Sequence, residues 1–183
     1  GTVSRSGATC FLSKNPITFD YIRSEAKKGR MSSKLMAIVL NGDNERVFVS
    51  PNNFHTSCAE IEAPPTMPSG LIKGKSKVNV GLYGFSDFQQ LFTNRQGNML
   101  ITFCNLLNEL NVQIRSENEE GDIELSTKRG DYIDAIRLFL SIGINKLADR
   151  ASTICTWDSS PKQLSLRNTF GRQAIPMTWD YAE

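Results

Sequence analysis

Apolar and polar positions change their period part-way along the chain. Short apolar runs broken by turns occupy the first third, and helical spacing takes over after residue 85. Residues 7–16 predict a short strand and turn, with Lys14-Asn15-Pro16 as the breaker. Residues 17–28 predict a helix that starts at Thr18 or Asp20, keeps Glu25 and Lys28 on its wet face and stops at Gly29. The apolar run 35–40 meets Asn41-Gly42-Asp43-Asn44 and resumes as Arg46-Val47-Phe48-Val49, which predicts a β-hairpin. Ser50-Pro51-Asn52 supplies a turn and cap for a short helix over 54–62, stopped by Pro64-Pro65.

Residues 63–77 hold three prolines, two glycines and three lysines, and predict a loop that is the best candidate for mobility. After Ser86 as N-cap, Phe85, Phe88, Leu91 and Phe92 fall at helical spacing and predict a short amphipathic helix. A second helix follows over 98–114, carried by Leu100, Ile101, Phe103, Cys104, Leu107, Leu110 and Ile114, with the join at Thr93 or Asn94. The acidic stretch 116–122 breaks it. From 131 to 150, Ile133, Ile136, Leu140, Ile144, Leu147 and Ala148 keep the period while Leu138, Phe139 and Ile142 widen the stripe, as in a helix central to a domain. Residues 164–183 have no clean period.

The expected class is therefore α+β, a small hairpin or sheet followed by a mainly helical part. Residues 1–62 form the hairpin-containing region, 63–84 a loop, and 85–183 the helical region, packed with the first part as one domain. At 39% apolar and 22% charged residues the composition is that of a folded chain rather than a disordered one. Lys and Arg number 21 against 19 Asp and Glu, so net charge selects no partner. Local charge is more telling: acids gather at Glu117, Glu119, Glu120, Asp122 and Glu124, and bases dominate 23–34, 73–77 and 167–172.

Cys10, Cys58, Cys104 and Cys155 include no close pair of the zinc or redox kind and predict reduced thiols. No apolar run approaches the roughly 20 residues of a membrane span, and no signal peptide is evident, so the default location is cytoplasmic. The chain starts at Gly1-Thr2-Val3 and stops at Trp179-Asp180-Tyr181-Ala182-Glu183, which reads as a segment of a longer protein.

Motifs for catalysis are missing. The single histidine, His55, has no nucleophile at a recognisable spacing, and there is no G-x-S-x-G. Gly70-Leu71-Ile72-Lys73-Gly74-Lys75 lacks the spacing of a phosphate loop. Two polar constellations stand out. In the first, Arg95 and Gln96 sit at the joint between two apolar helices, either as capping groups or as contacts to a phosphate or base edge. In the second, Arg167, Asn168, Arg172 and Gln173 are interleaved with Phe170 and Trp179 around Gly171, suited either to a phosphate backbone and an unstacked base or to tying down a loop whose apolar residues plug a core.

A set of strings runs through the chain in order: Thr9-Cys10, Phe19-Asp20-Tyr21-Ile22-Arg23-Ser24-Glu25, Gly29-Arg30-Met31, Leu35-Met36-Ala37-Ile38-Val39, Tyr83-Gly84-Phe85, Leu91-Phe92-Thr93 with Arg95-Gln96, Leu147-Ala148-Asp149, and Asn168-Thr169-Phe170-Gly171-Arg172-Gln173-Ala174-Ile175-Pro176-Met177 with Trp179-Asp180 and Glu183. Through these strings the chain resembles the middle of the bacterial and archaeal adenine-specific DNA methylases that contain a zinc ribbon. The last string is the most specific.

The resemblance implies a larger S-adenosylmethionine-dependent enzyme that methylates the exocyclic amine of adenine in DNA. In such proteins the glycine-rich cofactor motif lies upstream of this region and the catalytic Asp-Pro-Pro-Tyr motif downstream. Neither occurs in this sequence. The expected role is an internal, non-catalytic segment for target recognition or scaffolding, with no catalytic, cofactor or metal residues of its own. Its expected partners are DNA, through Arg95, Gln96, Arg167, Asn168, Arg172 and Gln173, and the catalytic portion of the same polypeptide. Many relatives carry a second cysteine about three residues after the position of Cys10, as a ribbon knuckle requires. Here Phe11-Leu12-Ser13-Lys14 follows, so residues 1–62 are expected to hold a degenerate, metal-free ribbon. A stand-alone nucleic-acid-binding module and a protein-interaction domain without DNA contact are the alternatives.

Overall fold

The computed structural model describes residues 3–4, 6–43, 45–116, 123–158, 160 and 163–182, with backbone alone at 111–116 and 123–129. It is an α+β chain in which small antiparallel sheets precede the long helices. Strands β1 (Val3–Ser4), β2 (Gly7–Thr9) and β3 (Pro16–Ile17) form a three-stranded antiparallel sheet in that order. The β2–β3 turn closes through Cys10 N–H to Asn15 O at 2.9 Å and Lys14 N–H to Cys10 O at 2.8 Å. Helix α1 (Phe19–Lys27) is capped by Thr18, whose hydroxyl accepts the Tyr21 N–H at 3.3 Å, and Gly29 leaves it with φ +73°.

The hairpin pairs β4 (Ile38–Asn41) with β5 (Arg46–Val49), Leu40 facing Val47 and Val39 facing Phe48. Two strands alone are marginal in water. Arg46 anchors this pair by stacking 5.4 Å from the Trp157 ring centroid and donating to the Leu164 carbonyl. Helix α2 (Asn53–Ala59) ends three residues short of the expected boundary at 62. Its cap is reciprocal: Asn52 Oδ1 accepts the His55 N–H at 3.0 Å, and His55 Nδ1 accepts the Asn52 N–H at 3.2 Å. That bond gives His55 a structural use.

The loop expected over 63–84 is instead built into the core. Gly70 N–H meets Asp87 Oδ2 at 3.0 Å, Phe88 N–H meets Gly70 O at 2.8 Å, and Ile72 N–H meets Ser86 O at 2.9 Å. Helix α3 (Lys77–Val80) follows, between 3-10 turns Gly74–Ser76 and Gly81–Tyr83. Gly84, at φ +91°, then passes so close to α1 that a Cβ would lie 3.2 Å from Lys27 Cα. The helix expected after Ser86 is only a 3-10 turn, Phe88–Leu91, and its cap is Asp87. Gln90 Oε1 accepts both the Ser86 and Asp87 N–H groups, which tightens the turn and leaves Phe92 extended.

Helices α4 (Asn94–Ser116) and α5 (Ile123–Ala148) pack on each other. The acidic break expected at 116–122 lies, beyond Ser116, outside the described residues. Strands β6 (Trp157–Asp158) and β7 (Ser165–Leu166) make a final antiparallel pair. The most deeply buried cluster is Ile72, Val80, Leu91, Ile154 and Ile175, each at most 2% exposed, with Phe85 and Phe92 against it. Most of these side chains come from loops and short turns. Helix α5, expected to be central, buries Ile133 but leaves Leu138 and Phe139 61% and 73% exposed.

Candidate nucleic-acid interface

Thr93 begins α4 with a reciprocal cap. Its hydroxyl accepts the Gln96 N–H at 3.1 Å, and Gln96 Oε1 accepts the Thr93 N–H at 3.0 Å. Gln96 is thereby 2% exposed, with its Nε2 buried and without a hydrogen-bond partner. The neighbouring Arg95 is exposed in the first turn, where the helix dipole adds to its positive potential. Asn94 and Asn98 donate from Nδ2 to the carbonyls of Ile61 and Glu62, at 2.9 and 2.8 Å, and so hold the preceding segment against this helix end.

The polar block is clasped from the end of α5. Asp149 Oδ1 accepts the Phe170 N–H at 2.8 Å, its other carboxylate oxygen accepts Asn168 Nδ2, and its carbonyl accepts the Thr169 N–H at 2.7 Å. Beneath this clasp the Thr169 and Ser152 hydroxyls lie 2.7 Å apart, both fully buried. Thr153 links the block to the helix joint by donating from N–H and hydroxyl to Leu91 O, at 2.8 and 2.9 Å.

Arg167 leaves β7 and donates to Asp158 Oδ2 from Nη2 at 2.7 Å and from Nε at 3.2 Å. The Asp158 carboxyl is held below its ordinary range, first by the Ser160 N–H, then by the Ser160 hydroxyl and the Arg167 guanidinium. Arg172 and Gln173 are exposed and form no hydrogen bond or ion pair with another described residue. Gly171 is not demanded by the fold, since a Cβ there would meet only Asn168 Cβ at an ordinary 3.5 Å. The aromatic residues of the block stay part-exposed against ring partners: Trp179 stands edge-on to the buried Tyr83 at 5.2 Å, and Phe170 leans on Phe88 at 6.4 Å.

The six candidate residues therefore divide. Gln96 is buried, Arg167 and Asn168 are bound to carboxylates, and Arg95, Arg172 and Gln173 face solvent. Asp149, Ser152 and Thr153, which organise the site, were not picked out as functional. Asp149 stands in one of the family strings, and the sequence signal of Ser152 and Thr153 is a hydroxyl pair set between Ala151 and Ile154 directly after a helix.

Nothing at this site forms a nucleophile–base pair. Burial pushes the Cys155 thiol up, and its proton is directed to the Arg167 carbonyl. Cys10 has its thiol pKa lowered, first by the Ser13 hydroxyl, but among the described residues no group of three His, Cys, Asp or Glu could hold a metal ion. Nor is any described helix long and apolar enough to cross a membrane. What the fold and site define is an α+β chain with a loop-built core and a clasped Arg/Asn/Gln block at its surface. The chain matches no family model, no curated protein and no solved structure.

Proposed function

We propose that this chain is an internal, non-catalytic segment of an S-adenosylmethionine-dependent DNA adenine methyltransferase, serving chiefly as scaffold. One observation carries the reading. Four of the strings through which the chain resembles that family, far apart in sequence, meet in one place: Leu91 and Ile175 share a core, Tyr83 packs on Trp179, and Asp149 holds Asn168 and Phe170. Residues shared because of a common fold should converge in this way.

Scaffolding is favoured over base reading because three of the six polar candidates are already engaged or buried. Arg172 and Gln173 are the groups left for DNA phosphate, and Arg95 is exposed at the start of α4. The test is duplex binding by this chain across a salt series of about 50 to 200 mM, where each phosphate contact adds about one to the log–log slope. Recognition predicts that Arg95→Ala and Arg172→Ala each lower that slope without unfolding the chain. Absence of salt-dependent binding assigns the segment to scaffolding alone. Failure of the intact parent protein to transfer a labelled methyl group to adenine removes the enzyme reading itself.

A further inference from the structure

Two of the basic stretches of the sequence meet in the fold. Residues 26–30 hold Lys27, Lys28 and Arg30, residues 70–86 hold Lys73, Lys75 and Lys77, and neither stretch has an acid. They take six of the 21 basic residues and leave 15 against 19 acids in the rest of the chain. All six residues are exposed. Helical turns run without a break from Gly74 through α3 to Tyr83, and Lys73 and Lys77, four apart, open them on one side. The Lys77 stem lies along Gly81, where a Cβ would be 2.6 Å from its Cγ and 3.2 Å from its Cε. Three residues on, Gly84 backs onto α1, a Cβ there lying 3.2 Å from Lys27 Cα. Positions three apart in a 3-10 turn eclipse, so Lys77 and the end of α1 meet along one edge of the turn Gly81–Tyr83. Lys28 and Arg30 are both drawn to Glu25, at 3.4 and 2.5 Å, and one carboxylate cannot neutralise two cations. Asp87, which follows the second stretch, is turned to the Gly70 and Gln89 N–H groups at 3.0 and 3.1 Å. Lys27, Lys73, Lys75 and Lys77 form no hydrogen bond or ion pair with another described residue, so the face keeps a surplus of positive charge.

We propose that this lysine face binds the phosphate backbone of duplex DNA without reading its sequence. Lysine suits the task, because compact charges on flexible stems contact phosphates and carry no base information. From Lys73 to Gly84 the helical turns rise about 1.5–2 Å per residue, roughly 16–22 Å in all, which is the length of about five or six base pairs at 3.4 Å each. A bilayer surface fits less well. The inward side of the same run, Ile72, Val80 and Tyr83, is spent on the core, and only Leu71, Val78 and Leu82 stay exposed beside the lysines. A helix that lies on a membrane keeps a whole apolar face for the lipid. The inference rests on the reading above for DNA as the polyanion, and it adds a second set of contacts to Arg172 and Gln173.

Fluorescence anisotropy of a labelled duplex of about 20 base pairs, titrated with the chain at about 50 to 200 mM salt, tests it. Lys27→Gln, Lys73→Gln and Lys77→Gln should each lower the log–log slope by about 0.9 and the triple variant by about 2.7, equally on duplexes of unrelated sequence. Circular dichroism and urea midpoints should hold, since these ammonium groups bond nothing in the described fold. Lys146→Gln, at the end of α5, should leave the slope unchanged. A triple variant that binds with the unaltered chain's slope overturns the proposal, and if Arg172→Ala still lowers that slope the reading above survives without it. If the slope falls with the lysines while the intact parent protein transfers no methyl group to adenine, the lysine face stands and the enzyme reading falls. Binding to phosphatidylserine vesicles at least as tight as to the duplex, or no salt-dependent binding by the unaltered chain, also overturns the proposal.

Discussion

Asp149 Oδ1 accepts the Phe170 N–H at 2.8 Å, joining the end of α5 to the polar block 21 residues later. A carboxylate just past a helix C-terminus faces the negative end of the dipole, so nothing local favours it there. Its value is tertiary: with Asn168 and Thr169 also bound to this residue, Asp149 fixes three consecutive residues of the block.

Asp149→Ala is therefore expected to lower unfolding stability by about 1.5–3 kcal/mol, the range for hydrogen bonds to a charged group. Asp149→Asn keeps an oxygen for Phe170 N–H and removes the clash with the dipole, so it should lose less than half as much. Urea unfolding with tryptophan fluorescence measures both. Equal losses would mean that charge, not the acceptor geometry, holds the clasp.

The Thr169–Ser152 hydroxyl pair is a second test of the same joint. Thr169→Val keeps the shape and strands the buried Ser152 hydroxyl, at a cost of about 1–3 kcal/mol. Ser152 Oγ also accepts the Ile154 N–H at 3.3 Å, so Ser152→Ala strands a backbone donor as well. In a double-mutant cycle the pair should couple by about 0.5–3 kcal/mol, whereas additive losses would show that the hydroxyls act separately.

Much of the first half was legible because its signals are local. The Asn-Gly loop between two apolar runs marks the β4–β5 hairpin, Thr18 marks the start of α1, and Thr93 marks the join before α4. The core was not legible. Ile72 follows an exposed Leu71 and Ile154 sits among polar or small neighbours, neither with a period that marks it as core, and only tertiary closure buries them. At the candidate site the residue types were visible but their partners were not. Arg167 and Asn168 look free to bind phosphate until Asp158 and Asp149, 9 and 19 residues earlier, are brought against them. Capping shortened Phe88–Leu91 to a single turn because Gln90 reaches back to Ser86 and Asp87, a side-chain choice that apolar spacing does not encode.

Thiol reactivity should separate the four cysteines. Cys155 is fully buried, burial raises its thiol pKa, and its proton is held by the Arg167 carbonyl. Cys58 and Cys104 are exposed, and Cys10 has its pKa lowered, first by the Ser13 hydroxyl. Because the thiolate is the nucleophile, Cys10 should alkylate first at mildly acidic pH, and Cys155 only after denaturant is added. Peptide mass spectrometry after timed iodoacetamide exposure reads the order. Labelling of Cys155 in the folded chain at the rate of Cys58 would show that the β6–β7 region opens readily.

The Asp158–Arg167 pair predicts a pH dependence of defined sign. The folded-state pKa of Asp158 is lowered by the Ser160 N–H first, then by the Ser160 hydroxyl and Arg167. A lowered pKa means that the unfolded chain binds the proton more readily. The carboxylate's contribution to stability is thus fully present above the unfolded value of about 4 and is lost as pH falls through the folded one. Asp158→Asn removes the charge but leaves a group of the same shape. The gap in urea midpoint between the parent chain and this variant should hold steady from neutral pH down to the ordinary carboxyl range and narrow below it. Arg167→Gln should show the same narrowing to a lesser degree, since the Ser160 bonds survive it. A gap that stays constant well below the ordinary carboxyl range would mean that Asp158 acts by shape alone, and that Arg167 is held at β7 by its Thr156 backbone bond at 2.9 Å rather than by the ion pair.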